Sequence, residues 1–348
     1  MYYIILILSI PLAIFAEDRL RLKRADILEN VVIDGQPVQY LTGNVVFKKG
    51  AMIINCAKAI NIENTGQGSM IGNVKVVDGN RSLTCDSLHY DSPNDILNGF
   101  GNARVWDNDY DLLADTLVYY SKIDSGIARG NAELTQKSQI ITSHSIYYAK
   151  HTGEDAVSYT AEGDVTILDN ERKATCGLAI YNRDNQTTWL KLNPNVTEKD
   201  QTMAGSEIIL RYKDDVMEHL YIPEQAHVTT LTKGLRGIKI SLDDTTTSRS
   251  EVQFVDDLTG SSLQGFFDEG QMDSLQVEGM ATSLYHIFED SIYQGKNIAS
   301  GDTIIMIFEE NNKMRSFHTC NDGVVVDFEG GGGGGRAASR IVEEIYNF

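Results

Sequence analysis

The sequence predicts an all-β fold in which a long antiparallel sheet, built from repeats of about 30 residues, bends into an elongated half-pipe. Three observations predict it. A Gly-Asn phrase recurs at a fixed interval, a second phrase with strand-like alternation lies between its copies, and turn residues separate the two. A constant period of this length is typical of a protein in which one structural unit is stacked many times.

The Gly-Asn phrase sets the period. Its four clear copies follow one another at intervals of about 29 residues: Gly43-Asn44-Val45, Gly72-Asn73-Val74, Gly101-Asn102-Ala103 and Gly130-Asn131-Ala132. A looser copy, Gly163-Asp164-Val165, comes next, and weaker ones follow near Pro194 and Gln225. We therefore expect about seven arches between residues 20 and 235.

The second phrase predicts strands that bend. β-Branched and aromatic residues alternate with polar ones in all its copies: Leu83–Tyr90, Leu112–Tyr119, Ile141–Tyr148 and Ala174–Tyr181. Strict alternation would put Leu83 and Cys85 on one face of the strand, and Leu88 and Tyr90 on the other. A β-bulge near Asp86 would turn all four inward, and the same bend in every repeat would fold the sheet over on itself.

The chain downstream of the repeats predicts a second, smaller β module. The polar stretch Asp243–Ser250 breaks the pattern, and beyond it Gly265–Met272 resembles Ile307–Met314 at an offset of about 42 residues. The six glycines Gly330–Gly335 predict a flexible linker, and Arg336–Phe348 a short amphipathic helix or a disordered tail. The expected organisation is a signal peptide at 1–16, a β-roll at 17–242, a second β module at 251–328, and a Gly-rich linker with its tail at 329–348.

The N-terminus and the net charge restrict the cellular context. Met1–Ala16 is apolar and uncharged, which predicts a secretion signal cleaved after Ala16, with an uncleaved membrane anchor as the alternative. Lys and Arg total 30 against 49 Asp and Glu, so the formal net charge is -19. That acidity argues against nucleic acid and against an anionic membrane surface as partners.

The cysteines and tyrosines follow the repeat. Cys56, Cys85 and Cys176 share one phase, and equivalent positions in successive repeats lie about 9 to 10 Å apart, too far for a disulfide. We therefore interpret these cysteines as small buried apolar residues, although an even count of four in an exported protein also suggests disulfides. Three tyrosines also share a phase, and cross-strand packing is favoured over a place at the groove mouth; they are Tyr90, Tyr119 and Tyr148.

Catalytic and metal-binding patterns are incomplete. Asp86 and Asp115 share a phase, as carboxylates do in polysaccharide-cleaving β-helices, but His144 takes the third position and no in-phase Arg or Lys completes the set. We interpret the two as turn or bulge carboxylates. Asp107–Asp111 lacks the Gly and Glu of a calcium loop. The sequence predicts no catalytic residue, no metal site and no cofactor.

The iterated Gly-Asn-Val-x-Val/Phe and Leu-x-Cys/Ala-Asp-x-Leu-x-Tyr phrases, following a signal peptide, resemble the OstA/LptA-type family of periplasmic lipopolysaccharide-transport proteins. The resemblance covers residues 20 to 235, and the C-terminal module looks like a divergent second copy. It implies a V-shaped antiparallel β-jelly-roll whose apolar interior carries lipopolysaccharide acyl chains. It also implies a periplasmic location, compatible with association with the outer membrane, and end-to-end strand addition between β-roll transport proteins.

The sequence therefore predicts a non-enzymatic carrier that binds lipopolysaccharide or a similar glycolipid in an apolar groove. The candidate groove lining comes from both phrases: Val45, Phe47, Val74, Val76, Ala103, Val105, Ala132, Leu134, Val165 and Ile167 from the first, and Leu88, Leu117 and Ile146 from the second. The alternatives are a structural β-repeat scaffold of the envelope with a fully packed interior and, more distantly, a carbohydrate-active β-helix.

Overall fold

The structure is a computed structural model. It describes residues 20–62, 66–123, 125–150, 157–214, 216–239, 247–289, 291–309, 313–321, 324–329 and 340–342. The predicted signal peptide and the Gly330–Gly335 run lie outside the described residues. The chain divides into two compact units, 1–108 and 109–348.

The first unit is an antiparallel meander with a divided edge. Strands β3 to β7 pair in chain order, and β1 and β2 both pair with β3. The strands are β1 (Arg21–Arg24), β2 (Ile27–Ile33), β3 (Gln36–Lys49), β4 (Met52–Ile62), β5 (Gln67–Asp78), β6 (Arg81–Asp91) and β7 (Ile96–Trp106).

The second unit begins with the same meander, β8 to β12, and then becomes more complex. Its strands are β8 (Asp111–Tyr120), β9 (Ser125–Gln136), β10 (Gln139–Lys150), β11 (Val157–Asp169), β12 (Arg172–Asn182), β13 (Thr187–Lys191), β14 (Asn195–Glu198), β15 (Gln201–Ala204), β16 (Glu207–Lys213), β17 (Val216–Ile222), β18 (Ala226–Lys239), β19 (Thr247–Gly260), β20 (Ser262–Asp268), β21 (Gln271–Glu289), β22 (Ile292–Glu309), β23 (Lys313–Asn321), β24 (Val324–Glu329) and β25 (Arg340–Val342).

The predicted bend lies in the middle of the long strands. The pairing register shifts between Ile71 and Val74 in the first unit and between Ser143 and Ser145 in the second. Gly and Asn of each phrase both have positive φ, a backbone region that these two residue types tolerate best. The bend turns Leu83, Cys85, Leu88 and Tyr90 inward together, and none of them is more than 6% exposed. The predicted β-bulge is confirmed.

Between β12 and β21 the chain forms two separate strands, one on each side of the bend, where the meander has one, and the sheet becomes two walls. The first wall is formed by β13, β16, β17 and β20, and the second by β14, β15, β18 and β19. Strands β12 and β21 pair with both walls. Backbone hydrogen bonds join the walls along the bend, for example from Ser206 N to Glu224 O at 3.0 Å. The walls are therefore the two sides of one bent sheet.

The C-terminal part of the second unit continues this sheet. Strands β18 and β19 pair from Ala226 opposite Gly260 to Lys239 opposite Thr247. Of the predicted boundary at 243–250, the part before Thr247 lies outside the described residues, and the part from Thr247 onward belongs to β19. That boundary and the modules on either side of it stay a prediction. Within the tail, Arg340–Val342 forms a strand paired with β24, where the sequence suggested a helix or disorder.

The all-β, antiparallel, repeat-built fold predicted from the sequence is confirmed. In the described part of the chain, no helix is long and apolar enough to cross a membrane.

Candidate functional site

The predicted groove-lining residues face the interior of each unit. Twelve of the thirteen are buried, with exposures from 0% for Val45 to 9% for Val105, while Ile167 is half-buried. These side chains point inward because the bend shifts the in-and-out alternation of each strand by one residue, so that apolar residues on both sides of the bend face the interior. Burial of this degree fits both a packed core and the wall of a groove, so the groove role of these residues stays a prediction.

A cavity of about 780 Å³ lies between the two walls of the second unit. Its apolar lining comes from both walls and from the strands that follow them: Val196, Met203, Leu210, Met217, Leu220, Val228, Leu258, Phe267, Met272, Leu275, Leu284, Ile287, Met306, Phe308, Met314 and Phe317. Ligand-binding pockets commonly measure about 300 to 1,000 Å³ and are mostly apolar. None of the thirteen predicted residues lines this cavity.

Methionine is concentrated in the cavity lining. Five of the nine methionines of the chain line it. Three of them sit at the start of the return strand of a hairpin, each opposite an aromatic residue: Tyr212 with Met217, Phe267 with Met272, and Phe308 with Met314. Methionine is unbranched and polarizable, so it fits ligands of irregular shape. This hairpin pattern is the sequence signal that could have located the cavity.

The cavity rim carries charges of both signs. Arg172, Lys199 and Arg315 are opposed by the carboxylates of Glu198, Asp200, Asp256 and Asp257. Arg172 donates from Nε and from Nη2 to Oε2 of Glu198, at 3.2 and 3.1 Å. Burial acts to lower the pKa of Arg172, but Glu198, Tyr212 and Asp169 together outweigh it and the pKa is raised.

The two adjacent aspartates on the rim each contact a histidine. Nδ1 and the backbone N of His286 lie 2.6 and 2.8 Å from Oδ1 of Asp256. Asp257 Oδ2 lies 3.0 Å from Nε2 of His227. The His286 ring also packs against Phe254, with ring centroids 5.1 Å apart. This part of the rim is thus held by the protein's own polar and aromatic groups.

In the first unit, a polar cluster joins strands that are not neighbours in the sheet. Lys49 on β3 donates to the Tyr90 hydroxyl on β6 at 3.0 Å and forms an ion pair with Asp95. Tyr90 in turn donates to Asp95 at 2.7 Å. Strands β4 and β5 separate β3 from β6 in the sheet, so the cluster spans the interior and ties its two sides together.

The in-phase carboxylates belong to the bends. Asn102 donates to Asp86, and Asn131 to Asp115, both at 3.0 Å, and Asn44 donates in the same way to Asp26 at 2.8 Å. The interpretation of Asp86 and Asp115 as bulge carboxylates is confirmed. Among the described residues, no group of three or more His, Cys, Asp or Glu could hold a metal ion.

The in-phase cysteines are buried, and Tyr148 of the in-phase tyrosines packs across neighbouring strands. All four cysteines are free thiols, and the three in phase are buried, as predicted. Burial raises the pKa of Cys56 and of Cys85 to about 11. Tyr148 packs on Tyr159 with ring centroids 5.5 Å apart, the cross-strand arrangement favoured from the sequence.

Comparison with known proteins places the repeats in a family. Residues 17–91 match the family described as OstA-like protein. Residues 113–216 match the family described as LptA/(LptD N-terminal domain) LPS transport protein. Over these two segments the chain is of OstA/LptA type. The family resemblance of the repeats is confirmed there, and the second OstA/LptA-type segment includes the first part of the cavity lining, from Arg172 to Leu210.

One solved structure similar to this chain is that of LptH from Pseudomonas aeruginosa. It is described as the LptA homologous periplasmic component of the conserved lipopolysaccharide transport device. The match has 14% identity and a TM-score of 0.29, and it covers 42% of this chain and 93% of LptH. These values are too low for the likeness to bear on function. No curated protein matches the chain in sequence.

Proposed function

We propose that this protein is a non-enzymatic periplasmic lipid carrier that holds the acyl chains of lipopolysaccharide or a similar glycolipid inside its bent sheet. One observation carries the proposal: an apolar cavity lies between the walls of a bent sheet, and the sheet up to residue 216, with the first part of the cavity lining, matches a lipopolysaccharide-transport family. Export by the predicted signal peptide would place the carrier in the periplasm.

The energetics of such a cavity suit a carrier. Burying one methylene contributes about 0.8 kcal/mol, so a chain of a dozen carbons gains roughly 10 kcal/mol before costs. The loss of chain freedom and the desolvation of polar groups reduce this gain. What is left is binding that shields the chain from water and can still be reversed.

The edge strand β2 supports a second element of the proposal, the end-to-end addition of another β-roll transport protein. All seven residues of β2 are exposed, and among them Val32 is 74% and Ile27 56% exposed. One edge of β2 pairs with β3, and no described strand pairs with its other edge. An exposed apolar edge of this kind is a template for strand addition.

A structural scaffold is the second candidate function. The observation that favours it is the close burial of the predicted groove residues, among them Val45, Leu88 and Ile146, each at most 2% exposed. If these side chains fill the interior completely, the repeats need no ligand. The cavity between the walls, which has an apolar lining and a polar rim, favours the carrier.

Site-specific photo-crosslinking in cells tests the carrier directly. Phe267 and Phe266 are a matched pair on β20, since Phe267 lines the cavity while Phe266 is 41% exposed and packs on His219. A benzophenone amino acid at Phe267 should give lipopolysaccharide adducts, and one at Phe266 should give few. The same probe at Val105 tests the groove predicted in the repeats.

The outcomes are separable. Equal labelling at the two phenylalanines, or no lipid adduct at Phe267 with abundant folded protein, would remove the support for a carrier. Adducts at Phe267 without adducts at Val105 would confine the lipid to the cavity.

A further inference from the structure

The size of the cavity limits what it can hold. A methylene group is similar in size to a water molecule, whose share of liquid volume is about 30 Å³. A cavity of about 780 Å³ therefore has room for about 26 such groups. That is one acyl chain, or two chains of about a dozen carbons each.

The lining indicates that the cavity recognises the acyl chain of a lipid and not its head group. The cavity lining includes side chains that adapt to different shapes, namely Met203, Met217, Met272, Met306 and Met314. Met203 and Met217, one on each wall, are only 6% and 7% exposed. Such a surface selects ligands by their apolar character and by their cross-section.

Among the described residues, the rim has no cationic cluster of the kind that a phosphorylated head group would need. Three cations face four carboxylates, and the best-placed cation, Arg172, is already bound by Glu198. Lys199 lies 3.7 Å from Glu171. The net rim charge is thus close to zero or slightly negative, which gives little discrimination between anionic and zwitterionic lipids.

We infer that the cavity binds a lipid by one or two acyl chains at a time, with little regard to the charge of the head group. The inference rests on the proposed function, because it assumes that the interior accepts lipid. It concerns a part of the chain that lies largely beyond residue 216, where the second family match ends. A single-chain or short diacyl lipid fits this cavity whole, whereas a lipid with six chains, such as lipopolysaccharide, would insert only one or two of them.

Native mass spectrometry of the purified, delipidated protein tests the inference. The probes are lysophosphatidylcholine, dilauroyl phosphatidylcholine, dilauroyl phosphatidylglycerol and hexa-acylated lipid A. We expect one-to-one complexes with the first three, of affinities within about threefold of one another, and at least tenfold weaker binding of lipid A. Tighter binding of lipid A, or a tenfold preference between the two diacyl lipids, would overturn the inference.

A cavity-filling variant locates the binding. Met217→Trp should reduce lysophosphatidylcholine binding at least tenfold, whereas Phe266→Trp, on the exposed face of β20, should leave it unchanged. Far-ultraviolet circular dichroism and the melting temperature establish that each variant is folded. Unchanged binding by folded Met217→Trp would place the lipid elsewhere.

A second measurement does not depend on a loss of binding. Tryptophan fluorescence of Phe308→Trp should be quenched by lipids brominated in the acyl chain, relative to the parent protein, while that of Phe266→Trp should not. Absence of quenching at residue 308 with bound lipid present would contradict the inference. Binding of one- and two-chain lipids without lipopolysaccharide adducts in cells would defeat the proposed function while leaving this inference in place.

Discussion

At the scale of single residues, the glycine of each Gly-Asn phrase is required for two reasons. Gly101 has a φ of 74°, and a Cβ atom placed on it would lie 2.4 Å from Oδ2 of Asp86. The same carboxylate accepts the side-chain hydrogen bond of Asn102, whose φ is also positive. The bend thus depends on the backbone freedom of Gly101 and on its lack of a side chain, which leaves space for Asp86.

We expect Gly101→Ala to destabilise the protein by about 2 kcal/mol or more, because positive φ and a steric clash act together. Gly79→Ala is the matched control, since Gly79 also has a positive φ but its Cβ would meet nothing within 4 Å. Gly79→Ala should lose only the stability that an alanine with positive φ costs, about 1 kcal/mol. Urea unfolding of both variants measures the difference. Equal losses would mean that the space beside Asp86 is unimportant.

Lys49 should stabilise the first unit through the cluster that spans its interior. Replacing it with Met leaves Tyr90 and Asp95 part-buried without their cation, at a cost of about 1 to 3 kcal/mol. Lys48→Met, at the adjacent exposed position, should cost less than about 0.5 kcal/mol. Urea unfolding at pH 7 compares the two, and similar losses would deny the cluster a stabilising role.

The stability that this cluster contributes should decrease at high pH. Burial acts to lower the pKa of Lys49, but the hydrogen bonds to Asp95 and Tyr90 outweigh it and raise the pKa above 10.5. The stabilisation is therefore complete below pH 10.5 and is lost as the pH rises through the raised value. When stability is measured from about pH 9 to about pH 12, it should fall more steeply above pH 10.5 in the parent than in Lys49→Met.

The buried thiols should be inert. With a pKa of about 11, Cys56 and Cys85 are almost entirely protonated at pH 8, and the thiolate is the reactive form. Cys320 is half-buried and should react first with a thiol reagent. We expect one equivalent to be modified in the native protein at pH 8 and four after unfolding. Rapid modification of Cys56 or Cys85 in the folded protein would contradict their interior packing.

At the scale of elements, how much the sequence could predict depended on whether the signal was local. The inward turn of Leu83, Cys85, Leu88 and Tyr90 could be read from one strand, because a bulge is the local solution to their spacing. The cavity could not be predicted from any single strand. Its walls bring together strands distant in sequence, such as β15 and β18, and the Gly-Asn phrase that marked earlier bends is replaced there by irregular segments such as Gly205-Ser206.

The edge strand β2 provides the prediction at this scale. Val32→Lys places a charge in the middle of the exposed apolar edge, which should oppose strand addition without affecting the fold, since Val32 is 74% exposed. Sedimentation velocity should show less self-association for this variant and an unchanged melting temperature. Glu29→Gln, on the same strand, is the control that removes a charge. Weaker association in the control, or no change in Val32→Lys, would place the contact elsewhere.

At the scale of the whole molecule, the net charge of -19 governs encounters with membranes. An anionic bilayer repels such a chain, and the repulsion is screened over about 10 Å at 0.1 M salt and about 3 Å at 1 M. We therefore expect uptake of a fluorescent acyl lipid from anionic vesicles to become faster as salt is raised from 0.05 to about 0.5 M. Uptake from zwitterionic vesicles should change little, because the apolar transfer itself carries no charge. Slower uptake from anionic vesicles at high salt would indicate a local basic docking site that the net charge conceals.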